Sequence, residues 1–290
     1  MQCPICQSDA HTVRAKLPDY AIAKCARCGL LYNRNFKDGG GDANIFSESY
    51  YKDVQKQAFA HVGDAAVEDA SLLSYARGLE FVESRAGVGR VLDVGCAFGS
   101  FLDVAKGRGW KVKGVEISPY SSRFAREEKK LDVLTGVLTK ADIGSEPFDF
   151  ITFWDVLEHV TDVTGNVRVA AKKLKPGGHL LLTTDNYQSL LAFIANTLFF
   201  LSGKKFSYPI EKFFIPFNSC YFFPRDVRRV LASEGFEEVY FKKIDYPIEK
   251  INLKGMERLV LRVLYAIGDL LNLNTQFLLI ARKKDRHETD

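Results

Sequence analysis

The chain has 290 residues, 47% hydrophobic and 26% charged, which excludes wholesale disorder and fits one large domain or a small module fused to a medium one. A formal net charge of only +4 gives no ground for expecting a nucleic-acid partner. No apolar leader follows Met1, and the longest largely apolar run, Leu190–Leu201, is 12 residues against the roughly 20 that cross a bilayer, so a cytoplasmic location is the default expectation.

The six cysteines, in a chain without an export signal, read as thiols or metal ligands rather than disulfides. Four of them form Cys3-x-x-Cys6 and Cys25-x-x-Cys28, close to the spacing of a zinc site with four sulfur ligands. A redox pair is the competing reading, but redox pairs do not usually come doubled at this spacing. Four protein ligands leave no open position for water, so the expected zinc is structural. The module is too small to build a sufficient core, and metal binding worth about 10–16 kcal/mol supplies the difference. Residues 37–47, with Gly39-Gly40-Gly41, read as a flexible joint.

Leu72, Ala76, Leu79 and Val82 recur at helical spacing and predict a helix over 68–84. Strand and helix patterns then alternate. Strands are expected at 90–95, 111–117, 132–135, 148–154 and 179–184. Helices are expected at 100–108, with Ser100 as cap, at 119–130, and at 167–174, stopped by Lys175-Pro176-Gly177-Gly178. This alternation predicts an α/β fold with a parallel, doubly wound sheet. Residues 187–223 interrupt it with twelve of the 34 phenylalanines and tyrosines (22 + 12), and read as an insertion. Helix 225–234, strand 237–244, helix 255–271 and strand 276–282 follow.

The loop Asp93-Val94-Gly95-Cys96-Ala97-Phe98-Gly99 ends one strand and opens a helix. Gly95 lets backbone approach a ligand, and Gly99 supplies an unusual dihedral or close packing. Glu116 closes the next strand, where a carboxylate can accept from two ribose hydroxyls. A dehydrogenase would prefer Gly-x-Gly-x-x-Gly, which Cys96 and Phe98 do not fit.

Val91 to Gly99, Val115-Glu116-Ile117-Ser118, Phe148-Asp149-Phe150, Val156-Leu157-Glu158-His159-Val160 and Leu174-Lys175-Pro176-Gly177-Gly178 together resemble the ordered motifs of class I S-adenosylmethionine-dependent methyltransferases. The resemblance covers 68–186 strongly and the C-terminal part weakly. It implies a Rossmann-like sheet of seven strands, the last antiparallel, in a domain 88–290 with a lid at 187–223. A ribbon, 1–36, and a linker with a helix, 37–87, precede it. It also implies that Gly95, Cys96, Ala97, Phe98 and Gly99 cradle the cofactor and that Asp93 helps bind its amino group. Glu116 would hold the ribose, Ile117, Val137 and Leu138 would lie against adenine, and Trp154 and Asp155 would face the methionine end and the substrate. The segment Thr135-Gly136-Val137-Leu138 carries no acid for the adenine amine.

Methyl transfer from a sulfonium needs alignment and a dry site, with a general base only where the acceptor must lose a proton. His159 is the candidate base and Tyr221 the second; the competing reading of Glu158-His159 is a cap for the segment that follows. Zinc-ribbon methyltransferases of this layout resemble sugar C-methyltransferases acting on nucleotide-linked deoxysugars. Those carry a Tyr-x-x-x-His-Glu-His-like cluster, whereas this chain has Phe217-Asn218-Ser219-Cys220-Tyr221-Phe222, which argues for O- or N-methylation of a sugar, natural product or lipid-linked molecule. Leu190–Leu201 is apolar enough to rest on the inner face of a membrane. An RNA methyltransferase gripping RNA with its ribbon and a non-catalytic scaffold of the same fold are the other readings. The ribbon lacks a strong basic stripe, and intact Gly95 and Glu116 weigh against the scaffold.

Overall fold

A computed structural model of the chain describes residues 1–36, 65–251 and 253–285; the joint expected at 37–47 lies outside them. Helix α1 (Ala65–Ala86) leads into strand β4 (Arg90–Val94), after three ribbon strands, β1 (His11–Lys16), β2 (Ala21–Cys25) and β3 (Leu31–Asn33). Helix α2 (Ser100–Gly107), β5 (Lys111–Glu116), α3 (Pro119–Glu127), β6 (Val133–Thr135), β7 (Phe148–Trp154), α4 (Val163–Lys173) and β8 (Leu174–Asp185) continue the alternation. The lid holds α5 (Leu190–Leu201), α6 (Tyr208–Phe213) and the two-residue strand β9 (Cys220–Tyr221). The chain then forms α7 (Pro224–Ser233), β10 (Phe236–Ile244), α8 (Gly255–Leu270) and β11 (Gln276–Lys283).

The seven-stranded sheet runs β6-β5-β4-β7-β8-β11-β10. Strands β4 to β8 are parallel, and β11 is antiparallel to both of its neighbours, as expected for the last strand. Consecutive residues of the central strands face opposite sides, and both sides are covered, so apolar runs rather than alternation are the rule. Val91, Phe150 and Leu181 pack with Leu79, Phe101, Leu102 and Trp110 on the side of α1 and α2. Leu92, Ile151 and Leu182 pack with Val167, Ala170, Val227 and Val230 on the side of α4 and α7.

Three local expectations are corrected. Ser100 is not the cap of α2; Gly99 holds that position at φ 79, without a side-chain hydrogen bond. Helix α4 starts at Val163 because the Asp162 side chain accepts from the Gly165 N–H at 2.8 Å, which also displaces Glu158-His159 from a capping role. Its end is set by Leu174, already extended at φ −81 and ψ 143, and Lys175-Pro176-Gly177-Gly178 lies inside β8.

The ribbon is joined to the rest. Its sheet runs β1-β2-β3-β9, so the lid supplies the fourth strand, with Leu31 opposite Tyr221 and Tyr32 opposite Cys220. The Asn33 amide donates to the Pro216 carbonyl at 3.0 Å, and the Val163 N–H to the Pro4 carbonyl at 3.0 Å. One ribbon face, with Ala23, Leu30 and Tyr32, joins the main core. The other, with Ile22 and Leu31, packs on lid residues Phe199, Phe214 and Tyr221. Among the described residues no helix is long and apolar enough to cross a membrane.

Candidate active site

The loop after β4 turns back on itself through Gly95 at φ 71 and Gly99 at φ 79. A Cβ on Gly95 would stand 2.6 Å from Val156 Cγ2, so this position is closed to larger residues by space as well as by dihedral. Ala97 adopts φ 46, a left-handed conformation uncommon for a residue with a Cβ. The Ala97 N–H donates to Glu116 Oε2 at 2.9 Å, and the Ser118 N–H donates to Oε1 at 2.8 Å. One carboxylate thus ties the loops after β4 and β5 together. It is 3% exposed, and burial pushes it above the usual range although the backbone amides of Ser118, Ala97 and Ile117 pull the other way. An ionised carboxylate has about four acceptor sites, so acceptor capacity remains for a hydroxyl donor.

Asp93, at the end of β4, is also buried; its Oδ1 accepts from Thr152 Oγ1 at 2.8 Å. Burial, with the charge of Glu116 adding to it, raises its carboxyl to about 8. Phe98 meets the rings of Phe124 and Tyr120 edge-on, at 5.2 and 6.1 Å. Cys96 is buried among Leu102, Val133 and Phe101 on the α2 side of the sheet, leaving its backbone to the loop. Ile117 and Val137 are half-buried. Leu138 instead belongs to the sheet core, 3% exposed, a correction to its expected place against a ligand.

A second group of carboxylates lies beyond β7 and β8. Asp155 sits at φ 53, where its Oδ1 accepts from Thr183 Oγ1 at 2.9 Å and from the Gln276 amide at 3.3 Å. The same amide reaches Asp185 Oδ1 at 3.4 Å, and the Asn218 amide reaches Oδ2 at 3.3 Å. Burial, then the charge of Asp155, lifts Asp185 to about 6. Glu158, in a 3₁₀ turn over Leu157–His159, is 2% exposed; its Oε2 has no hydrogen-bond partner, and burial next to Asp155 and Asp185 raises it well above the usual range. Trp154 faces the other way, its ring 4.8 Å from Tyr75 and 5.6 Å from Phe101. Asp185, Asn218 and Gln276 were missed in the sequence; the signal for Asp185 was a carboxylate at a strand's C-terminal end, the position of Glu116.

His159 Nδ1 lies 3.0 Å from the Phe217 carbonyl, which can only accept, so Nδ1 carries the proton and Nε2 the lone pair. Burial lowers its pKa and keeps the ring neutral. Tyr221 is fully buried in the lid core, its hydroxyl donating to the Ile215 carbonyl at 3.2 Å, which corrects its expected role as a base.

These carboxylates line the C-terminal ends of parallel strands, where open α/β sheets bind ligands. The family model described as a methyltransferase domain matches residues 68–239, more than half of the chain.

The chain belongs to the methyltransferase-domain family.

Among curated relatives, this methyltransferase-domain chain is 35% identical over 116 residues to a ubiquinone biosynthesis O-methyltransferase of Xanthomonas oryzae, covering 37% of this chain and 48% of that protein. It is 36% identical over 103 residues to one from Idiomarina loihiensis, covering 33% and 42%. The chain spans about half the length of the curated relatives it matches. Two solved structures share the fold. A SAM-dependent methyltransferase from Archaeoglobus fulgidus has TM-score 0.53 at 21% identity, covering 81% of this chain and all of that one. Magnesium protoporphyrin IX methyltransferase from Synechocystis with bound SAH has TM-score 0.55 at 14%, covering 84% and 100%.

Away from the cleft, Cys3, Cys6, Cys25 and Cys28 converge. Cys3 and Cys28 sulfurs are 3.5 Å apart, as are those of Cys6 and Cys25, and all four lie within 4.8 Å of one another. Each pair sits on a tight turn, with the Gln7 N–H donating to the Cys3 carbonyl and the Gly29 N–H to that of Cys25.

A carboxyl raised by folding holds its proton more tightly in the folded than in the unfolded chain, so its contribution to stability is complete below about pH 4 and lost as pH rises through the folded value. For Asp93 that loss runs from about 4 and is complete near 8. His159 and His179, lowered by burial, act with the opposite sign below about 6.5. Between about pH 6.5 and 8 the thermal midpoint of the ligand-free protein is therefore expected to fall, and to fall less in Asp93→Asn. Equal slopes in the two proteins would remove Asp93 as the cause.

Proposed function

We propose that the chain is an S-adenosylmethionine-dependent methyltransferase that methylates an oxygen or nitrogen of a small acceptor, with a structural zinc ion on its four clustered cysteines. The observation that carries this reading is the buried Glu116 carboxylate binding the Ala97 amide while keeping acceptor sites free, beside a loop whose Gly95 has no room for a side chain. When bound, the cofactor supplies a sulfonium-borne methyl group with a good leaving group already in place. Glu116 grips its ribose, Ile117 and Val137 lie against its adenine, and the backbone of Gly95 to Ala97 takes its methionine end. Asp93, whose carboxyl is raised by burial, is pulled toward ionisation by a cationic ligand. His159 holds its Nε2 lone pair ready for the acceptor's proton.

Four thiolates suit a zinc ion better than a harder metal, and tetrahedral Zn–S bonds of about 2.3 Å place sulfurs roughly 3.8 Å apart, close to the 3.5 Å of the two closest pairs. The closed ligand set makes this zinc structural.

For the acceptor, the relatives named for ubiquinone biosynthesis favour O-methylation of a lipid-linked or apolar small molecule. Helix α5 supports contact with a membrane surface: Phe193 and Leu201 are 67% and 81% exposed.

Three experiments test this reading. Glu116→Ala should weaken cofactor binding in calorimetry by about one to two orders of magnitude, since a hydrogen bond to a charged group contributes about 1.5–3 kcal/mol; unchanged affinity means the ribose lies elsewhere. His159→Gln should lower methyl transfer to a hydroxyl acceptor by roughly 10²–10⁴-fold with cofactor affinity intact. The acid limb of the wild-type rate profile should lie below about 6.5, as burial lowers the imidazole. A rate within a few-fold of wild type excludes His159 as base. Cys25→Ser should reduce zinc from about one ion per chain to background. Because β3 pairs with β9, it should also open the lid to proteolysis near Lys204 and Lys205. Retained zinc refutes the ligand set.

A further inference from the structure

Ribbon and lid form the sides of an open recess of about 170 Å³, against roughly 10–15 Å³ needed to admit one water. Three cations from three separate elements line it: Arg14 of β1, Lys24 of β2 and Arg225 of α7. No carboxylate lines it. Among the described residues Arg14 and Lys24 have no acidic partner, and Arg14 is held only against the Phe200 ring, 5.0 Å from its centroid. Arg225 is 3.9 Å from the carboxylate of Asp226, but that side chain is 1% exposed and accepts from the Phe223 N–H at 3.1 Å. Among the described residues, the cavity therefore presents more positive than negative charge, over walls of Leu31, Phe214 and Phe223. Three cations converging on an apolar recess cost repulsion unless an anion shared between them offsets it.

We propose that this cavity is a binding site for a phosphate or pyrophosphate group carried on an apolar or aromatic molecule, separate from the cofactor cleft. Arg14 and Arg225 supply planar guanidinium donors and Lys24 a point charge, a set suited to the several oxygens of a phosphate. The apolar walls take the part of the ligand next to it. Gly29 leaves the rim open, since a side chain there would meet nothing within 4 Å. The cavity also shares a wall with the cleft. Tyr187 lines it, while the Tyr187 hydroxyl accepts from the Asn218 amide at 3.1 Å, and that amide also donates to Asp185. The site itself does not depend on methyl transfer.

Titration calorimetry of the full chain with inorganic pyrophosphate tests it. Saturable binding is expected, weakened roughly tenfold or more in Arg14→Ala/Lys24→Ala through loss of two charged donors. Both residues are exposed, so the fold should persist; unchanged affinity of the double variant for S-adenosylhomocysteine serves as the control. Arg225→Ala should weaken pyrophosphate binding in the same way. A second arm adds vesicles of phosphatidylcholine with phosphatidic acid. Displacement of pyrophosphate assigns the phosphate to a lipid headgroup, and undisturbed binding assigns it to a soluble molecule. No binding to the wild-type chain, or equal binding to the double variant, overturns the proposal.

Discussion

Two residues of strand extend the ribbon sheet into the rest of the molecule. Cys220 and Tyr221 pair with Tyr32 and Leu31, completing the ribbon sheet with chain from the far side of the methyltransferase domain. The next residue back, Ser219, donates through its N–H at 2.7 Å and its hydroxyl at 2.9 Å to the Glu158 carbonyl, and Phe217 accepts from His159. The cysteine cluster is therefore connected, through β3, β9 and the loop before it, to the turn that carries the candidate base. A small cysteine module with little core of its own gains its rigidity from this arrangement, and the turn gains a fixed support. Most of the bonds involved are backbone bonds, so they constrain the position of the chain independently of side-chain identity.

The cleft is electrostatically unfinished without a ligand. Asp93, Glu116 and Glu158 are buried and Asp185 half-buried, all four are raised by desolvation, and Glu158 has an oxygen with no hydrogen-bond partner among the described residues. Buried carboxylates are usually paired with cations, and here the described side chains around them are amides, hydroxyls and aromatic rings. A positively charged ligand fits such a site for the same reason that a neutral one gains little from it. The geometry and the charge thus favour the same class of cofactor as the family match.

Much of this was legible in the sequence. The turn at Gly95, the acid at Glu116 and the doubled Cys-x-x-Cys are local patterns, and local patterns survive as one-dimensional signals. Strand β9 was not legible because a two-residue strand has no periodicity, and its pairing with Leu31 and Tyr32 depends on the whole sheet already standing. Asp185 and Gln276 were missed for a related reason: each lies at a strand end, but their contact spans 91 positions. Tyr221 looked reactive because its type is reactive, while its burial against Phe214 and Tyr187 is a property of the lid core. Leu138 was misplaced by analogy of position; its side chain turns inward to the sheet.

The order of the strands carries a consequence for assembly. Strand β11 follows β10 in the chain but lies inside it, against β8, so β10 has no neighbour in the sheet until β11 has arrived. Gln276, the first residue of β11, brings the amide that bridges Asp155 and Asp185. On a ribosome, the domain's early strands can gather while the cleft between them stays open, its two acids unbridged. The bridge between these two acids is thus deferred to the last strand of the sheet to be made, and a nascent chain stalled before Gln276 carries a nearly complete scaffold without it.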